Sequence, residues 1–146
     1  TGTQHVDNQT LIDHAKPHTT SRELYKGILK GSSRAVFNGR VLVRQDAQQV
    51  DAQQTNKNLL LSNGAEIDTK PELEIFADDV KCAHGASVGQ LDETARFYMA
   101  ARGLSPDLAR RLLVQAFVGD ALVALEDEEL RERMMRVALD KVDKAL

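Results

Sequence analysis

The fold of this chain depends on one polar stretch, QDAQQVDAQQTNKN at residues 45–58. It is rich in amides and small side chains, and it contains a near-repeat, with DAQQ at 46–49 and again at 51–54. Such a stretch offers little to the core of a β-sandwich. In a β-solenoid, equivalent positions of stacked coils lie about 4.8 Å apart, and amide side chains can hydrogen-bond along the stack as ladders. The stretch therefore favours a β-solenoid, and a solvated loop is the alternative.

Short apolar runs lie on both sides of this stretch, and polar breaks separate them. Each run has the length of a strand, and apolar and charged residues alternate in ELEI at 72–75. Turn signals occur at Asn38-Gly39, Asn63-Gly64 and Lys70-Pro71. Residues 1–90 therefore predict many short strands. Either an antiparallel sandwich or a solenoid would accommodate them, and we prefer the solenoid because of the amide stretch.

Residues 91–146 differ in composition, because Ala, Leu, Glu, Arg and Met dominate there and favour helices. Asp92 and Ser105 are placed as helix N-caps, and Pro106 follows Ser105 at the first helical position. Gly103 stands where a helix C′ residue belongs. We expect this helical domain to cover the end of the solenoid, whose edges would otherwise be open. The signals predict three helices, at 92–102, 106–125 and 127–145.

The charge balance and the apolar pattern exclude several classes of protein. The 146 residues carry 19 basic and 22 acidic side chains, which give a formal net charge of −3. This balance indicates no sequence-wide attraction to nucleic acid or to an anionic membrane surface. No apolar run is long enough for a transmembrane helix, and the first residues show no secretory signal. The sequence does not begin with Met, and we expect it to be a fragment of a longer protein.

The single cysteine excludes a disulfide framework within the chain and any metal site made of its cysteines alone. On an extended strand, Cys82 and His84 would face the same way, and a thiolate with an imidazole suits iron, zinc or copper(I). A closed site needs four ligands, so the others would come from another chain or from carboxylates. The alternative is that Cys82 is a small buried residue and His84 a turn residue.

Other catalytic arrangements have less support. Cys–His nucleophilic catalysis lacks an orienting Asn or Asp, and the nucleotide-binding patterns GxGxxG and GxxxxGK[ST] are absent. A polysaccharide-cleaving β-helix would need paired carboxylates and aromatic platforms, but the chain has two Tyr and no Trp. Asp78-Asp79 offer two adjacent carboxylates that could serve as paired acids, but we expect them to cap a turn. The remaining histidines show no ligand spacing and are expected at the surface or in ladders: His5, His14 and His18.

The first predicted helix carries Phe97, Tyr98, Met99 and Arg102 close together. Aromatic residues, Met and Arg are enriched at protein interfaces. This cluster therefore indicates a docking surface, and packing between the helices is the alternative.

Four motifs together resemble the SufB/SufD family, the scaffold subunits of the SUF iron–sulfur cluster assembly system. They are NKNLLL at 56–61, DTKPELEI at 68–75, ADDVKCAHGA at 77–86 and FYMAARGL at 97–104. The combination is specific, although no single motif is, and the similarity is strongest from about residue 45 to 125.

Two departures indicate the SufD type within this family, and in particular its C-terminal part. His84-Gly85-Ala86 stands where SufB-type sequences tend to have His-Glu-Ala. Asn63-Gly64-Ala65 stands where SufB-type sequences have a cluster-holding cysteine in an earlier strand. The chain therefore resembles the supporting partner rather than the subunit that supplies the main thiolate.

The resemblance implies a mainly β fold with α elements: the last coils of a right-handed parallel β-helix over residues 1–90, then a helical domain over residues 91–146. It implies a non-enzymatic, cytoplasmic scaffold that pairs with a SufB-like subunit through the β-helix. A nascent iron–sulfur cluster, or iron, would be shared with that partner near Cys82 and His84, and none is expected in the isolated fragment. An exposed solenoid end would also favour a homodimer.

The resemblance further implies that a SufC-like ABC ATPase docks on the helical domain. A purely structural β-helix adaptor with no metal role is the alternative function. The candidate residues for ATPase docking are Phe97, Tyr98, Arg102, Gly103 and Phe117.

Overall fold

Six strands are followed by three helices in the computed structural model, which describes residues 1–144. The chain divides into two units, and the second begins at Gln90. The first unit contains all the strands: β1 His5–His14, β2 Thr20–Leu29, β3 Arg34–Val43, β4 Val50–Leu60, β5 Glu66–Ile75 and β6 Val80–Gly89.

Consecutive strands alternate between two three-stranded sheets, with the orders β1-β3-β5 and β2-β4-β6. All four strand pairs are parallel, which excludes the antiparallel sandwich. The chain thus makes three coils of two strands each. His5 pairs with Arg34, 29 residues further on, and Arg34 pairs with Glu66, 32 residues further on. The strand order and pairing do not reveal whether the coils wind in a right-handed or a left-handed sense. The right-handed parallel β-helix therefore stays a prediction.

The core of this unit lies between the two sheets. In β3 and β4, the central strands, every second side chain is buried over most of the strand. Removing a Val side chain of this kind from water contributes about 1.5–3 kcal/mol. One continuous cluster consists of Val41, Val43, Ala47, Val50, Ala52 and Ala77.

Two of the predicted turns lie inside strands. Asn38-Gly39 belongs to β3 and Lys70-Pro71 to β5, with Gly39 in register with Pro71. Pro71 is tolerated because β5 is an edge strand of its sheet, where a missing N–H need not break the ladder. Gly39 leaves room for a buried amide, since a Cβ there would lie 2.4 Å from Nε2 of Gln54. The predicted turn at Asn63-Gly64 is confirmed.

The polar stretch that favoured the solenoid lies largely in β4, but its amides form no ladders. Gln54, Asn56 and Asn58 are at most 4% exposed. Ladders are excluded because the register neighbours are not amides: Gln54, for example, lies between Glu23 and His84. Within the core, Gln54 Nε2 donates to the Glu23 carboxylate at 2.6 Å, and Asn58 Nδ2 donates to Asn56 Oδ1 at 2.5 Å. These hydrogen bonds offset the cost of burying the donors.

His14 is also buried, at 4% exposure, whereas the sequence predicted a surface or ladder position. Its Nδ1 lies 2.6 Å from Thr19 Oγ1, and its Nε2 lies 2.9 Å from Ser21 Oγ. Both ring nitrogens are therefore hydrogen-bonded, which makes burial of the imidazole tolerable. His5 and His18 are exposed.

The second unit contains three helices, α1 Glu93–Ala100, α2 Pro106–Leu122 and α3 Glu128–Asp143. The predicted N-caps are confirmed: Asp92 accepts from the backbone N–H groups of Thr94 and Ala95, and Ser105 accepts from that of Leu108. Gly103 has a φ of +83° and follows the C-cap residue Ala101 by two positions, one later than predicted. α1 and α2 end earlier than predicted, and the predicted end of the third helix at residue 145 lies outside the described residues.

The helices α2 and α3 pack against each other in opposite directions. Arg111, near the start of α2, lies 3.8 Å from Asp143, at the end of α3. Gly119 allows close approach between them, since a Cβ there would lie 3.2 Å from Met135 Cε. In the described part of this unit, Ala109 and Val114 are the buried side chains. Within residues 1–144, no helix has both the length and the apolar character needed to span a membrane.

Candidate functional site

Cys82 and His84 lie on β6, an edge strand of the second sheet. Cys82 is in register with Ala52, and His84 is in register with Gln54. Ala52 and Gln54 are buried in the layer between the sheets, so the two candidate ligands share that face of the sheet. The rise of a strand separates them by about 6.6 Å along the chain. One strand therefore aims a thiol and an imidazole to the same side.

The two side chains differ in their exposure. His84 is exposed, whereas Cys82 is half-buried and packs against the core cluster of the two sheets. Neither is enclosed, because β6 has a neighbouring strand on one side only in its sheet. Both groups are therefore open to a ligand that approaches this edge.

Burial raises the pKa of the Cys82 thiol above its ordinary value of 9.0. A hydrogen bond with the backbone of Ala52 lowers the pKa, and the carboxylate of Asp51 raises it further. The thiol is consequently protonated at neutral pH, whereas metals bind the thiolate. Any metal bound by the Cys82 sulfur would therefore displace a proton.

Cys82 and His84 do not make a complete metal site by themselves. Across residues 1–144, no group of three or more His, Cys, Asp and Glu side chains is arranged to hold a metal ion. The donor types, one sulfur and one imidazole nitrogen, fit iron. The strand thus offers two donor groups of types that iron accepts, and a closed four-ligand site would need further donors from outside the described residues.

Gln54 and Glu23 lie in register with His84 across β4 and β2, and no sequence motif marked them as site residues. The signal was present, since an alternation with period two runs through residues 50–58 once the amides are counted as core residues. Amides are usually exposed, so this alternation was hidden.

The candidate docking residues are divided between two helices and the turn that follows the first. Phe97 and Tyr98 in α1 are 75% and 56% exposed. The guanidinium carbon of Arg102 lies 3.4 Å from the centroid of the Tyr98 ring, a cation–π contact. Gly103 follows in the turn, and Phe117 lies on α2, half-buried. The structure therefore joins Tyr98 and Arg102 but does not join all five residues in one exposed cluster.

An exposed apolar stripe on α3 was not among the docking candidates predicted from the sequence. Leu130, Met134 and Val137 recur at helical spacing and are 43%, 44% and 50% exposed. Helical spacing alone puts these residues on one face of the helix, but it gives no reason to treat that face as uncovered.

Comparisons with known proteins agree with the motifs. Residues 1–117 match the family model described as "SUF system FeS cluster assembly, SufBD core domain". The chain is 45% identical over 129 residues to the iron-sulfur cluster assembly protein SufD of Escherichia coli (strain K12). This alignment covers 88% of the chain and 30% of that protein. It is 45% identical over 133 residues to an iron-sulfur cluster assembly SufBD family protein of Synechocystis sp., covering 91% of the chain and 29% of that protein.

A plant relative extends this likeness. The chain is 42% identical over 134 residues to "Protein ABCI7, chloroplastic" of Arabidopsis thaliana, covering 88% of the chain and 28% of that protein. The chain spans less than a third of the length of these three relatives. The family match covers well over half of the chain, and the chain belongs to the SufB/SufD family of iron–sulfur cluster assembly proteins, in which it is SufD-like.

Proposed function

We propose that this chain is the C-terminal part of a SufD-like scaffold subunit, which supports iron–sulfur cluster assembly and catalyses no reaction of its own. The observation that carries the proposal is the placement of Cys82 and His84 on one face of an edge strand, neither of them enclosed. The similarity to relatives named as iron–sulfur cluster assembly proteins supports the assignment to this process. The proposal includes a right-handed parallel β-helix and a cytoplasmic location.

The cluster, or the iron that builds it, is cargo shared with a second subunit. Cys82 and His84 supply a thiolate and an imidazole, and the other ligands come from the partner. β5 and β6 are edge strands of their sheets, so each has one row of backbone groups with no neighbouring strand in its sheet. A partner strand could pair with these groups. A SufB-like subunit bound there would complete the ligand set. A second copy of this chain would offer the same two donor types.

The helical unit receives a SufC-like ABC ATPase. The exposed ring of Phe97 and the Tyr98–Arg102 pair provide the aromatic and cationic groups that are typical of interface hot spots. Gly103, in the turn after α1, and the half-buried Phe117 on α2 are the remaining candidate docking residues. Nucleotide-driven movement of the ATPase would then change access to the cluster site, which requires two states of the complex.

The ligand role is tested in the reconstituted complex with the SufB-like and SufC-like subunits. We expect His84→Ala and Cys82→Ala each to lower the anaerobic iron and sulfide content severalfold, because a cluster loses one ligand in each variant. His18→Ala is the control, since His18 is an exposed histidine in the turn between β1 and β2. Unchanged iron and sulfide in both test variants would exclude the ligand role.

The docking role is tested by affinity for the ATPase. Phe97→Ser should weaken binding by about tenfold or more, as loss of an aromatic hot spot does. Val123→Ser is the matched control, because Val123 is 72% exposed and Phe97 is 75% exposed. Equal affinities of the two variants would remove Phe97 from the interface.

A purely structural adaptor is the second candidate function. The packing of half-buried Cys82 against the core cluster favours it, because small buried cysteines usually serve packing. In that case Cys82→Ala would alter the stability of the complex while its iron and sulfide contents stayed constant.

A further inference from the structure

Gln54 lies beside the proposed ligand His84 and is almost completely buried, at 1% exposure. Its Nε2 donates to the Glu23 carboxylate at 2.6 Å. Its Oε1 is enclosed by protein and has no hydrogen-bond partner among the described residues. One buried acceptor is therefore open beside the candidate iron ligand.

A buried amide oxygen without a donor is costly, and nearly all such atoms find one. The two polar atoms of an amide diverge from one carbon atom. Because Nε2 is directed to Glu23 on β2, Oε1 is directed away from that strand. Gly39, whose backbone faces the amide across the layer, has no side chain to offer.

His84 is the register neighbour of Gln54 on the other side of β4, and adjacent strands lie about 4.8 Å apart. Residues in register on parallel strands share a face of the sheet, so the imidazole extends from the same face as the buried amide. The strands β2, β4 and β6 thus place Glu23, Gln54 and His84 in one row.

We propose that Gln54 is a positioning residue for His84, with Oε1 accepting a hydrogen bond from one ring N–H of the imidazole. The bond holds His84 in one tautomer and one orientation, and it leaves the other ring nitrogen free to bind iron. Metal-binding histidines commonly donate their second N–H in this way. The use of the free nitrogen rests on the proposed function, but the hydrogen bond is a property of the metal-free chain.

Glu23 has a distinct part in this arrangement. Its carboxylate fixes Nε2, and an amide fixed at its nitrogen cannot turn to present that nitrogen to His84. The row therefore presents an acceptor to the imidazole, which selects the tautomer that is protonated at the nitrogen facing Gln54.

The test is nitrogen NMR of the histidine side chains in the metal-free full chain, at a pH where they are neutral. The exposed residues His5 and His18 are internal references for an unconstrained imidazole. We expect one tautomer to dominate at His84, and Gln54→Met to lower that bias by about fivefold, the effect of one ordinary hydrogen bond.

Asn56→Leu is the matched control, because Asn56 is a buried amide on the same strand but is in register with Ala86. It should leave the tautomer ratio of His84 unchanged. If both variants lost the tautomer preference at His84, the cause would be a general loosening of the sheet, and the proposal would be overturned.

The unaltered chain decides the question even if Gln54→Met does not fold. A tautomer mixture at His84 equal to that of His5 and His18 overturns the proposal, and Gln54 Oε1 then has a donor other than His84. A fixed tautomer in a chain whose His84→Ala variant keeps its iron and sulfide in the complex would support the hydrogen bond and refute the ligand role. The two hypotheses therefore fail separately.

Discussion

Cys82 lies at the boundary between the core and the surface, and this position governs its acid–base chemistry. Burial penalises the thiolate and raises the pKa of the thiol. The half-buried position thus keeps the thiol protonated at neutral pH and slows its reactions there. Neither effect follows from the spacing of Cys82 and His84 in the sequence.

The first prediction concerns the rate at which this thiol is alkylated. In the metal-free chain, the midpoint of the rate against pH should lie above that of a small cysteine peptide, because the folded pKa is raised. The unfolded chain releases this proton at lower pH, so the contribution of Cys82 to stability falls as pH rises above the ordinary cysteine value. A midpoint at or below that of the peptide would contradict the burial argument.

The second prediction concerns Gly39, whose missing side chain gives Gln54 its space. A Cβ at this position would lie 2.4 Å from Gln54 Nε2 and 2.6 Å from Phe37 Cζ. We expect Gly39→Ala to destabilise the sheet unit by about 1–3 kcal/mol, as overpacking does, in urea unfolding. Gly85→Ala is the control, since a Cβ there meets nothing within 4 Å and should change stability by less than about 0.5 kcal/mol.

At the scale of the element, much of the fold is readable from the sequence because local signals and packing agree. The caps at Asp92 and Ser105 act within one turn of helix, and both are found as predicted. The signals at Asn38-Gly39 and Lys70-Pro71 failed because tertiary context overrode them: the glycine accommodates a buried amide and the proline lies on an edge strand. The row from Glu23 to His84 depends on strand register, which composition does not give.

The third prediction concerns the ion pairs that link neighbouring coils. Hydrogen bonds from Arg44 to Asp13 and from Arg22 to Asp51 lower the pKa of each carboxyl below its ordinary value of 3.8. Such a carboxylate contributes stability above the ordinary value, and the contribution is lost as pH falls through the lowered one.

The unaltered chain should lose stability as pH falls from neutral through the pKa of its carboxyl groups, and we expect Arg44→Met to lose less. The urea midpoint at each pH measures this difference. The effect should be small and should shrink with added salt, because both partners are at the surface. Lys16→Met is the control, since it removes a cation in the exposed β1–β2 turn. An equal acid response in the two variants would show that the Arg44–Asp13 pair is not coupled to folding.

At the scale of the whole molecule, buried side chains are distributed unevenly between the two units. The central strands β3 and β4 carry most of the buried residues of the sheets. Among the described residues, α1 and α3 have no buried side chain, and α2 has two. The sequence predicted both kinds of element but not this difference, because exposure depends on which faces remain uncovered.

The fourth prediction is that this difference appears in native-state hydrogen exchange. Amides in the middle of β3 and β4 should exchange slowest, and those of α1 and α3 should exchange far faster, since sparse burial permits local opening. Binding of the proposed ATPase partner should slow exchange in the helices and leave β3 unchanged. Helical amides as well protected as those of β3 in the free chain would contradict this distribution.

The alternation of strands between two sheets restricts how such a molecule can change in length. Adding or removing a pair of strands widens or narrows both sheets and leaves every later strand on its own side. Adding one strand would exchange the sides of all later strands, so Cys82 and His84 would move to the sheet opposite their buried neighbours. Evolution can therefore lengthen or shorten this architecture only in steps of about thirty residues, the sequence separation of paired strands such as Val50 and Val80.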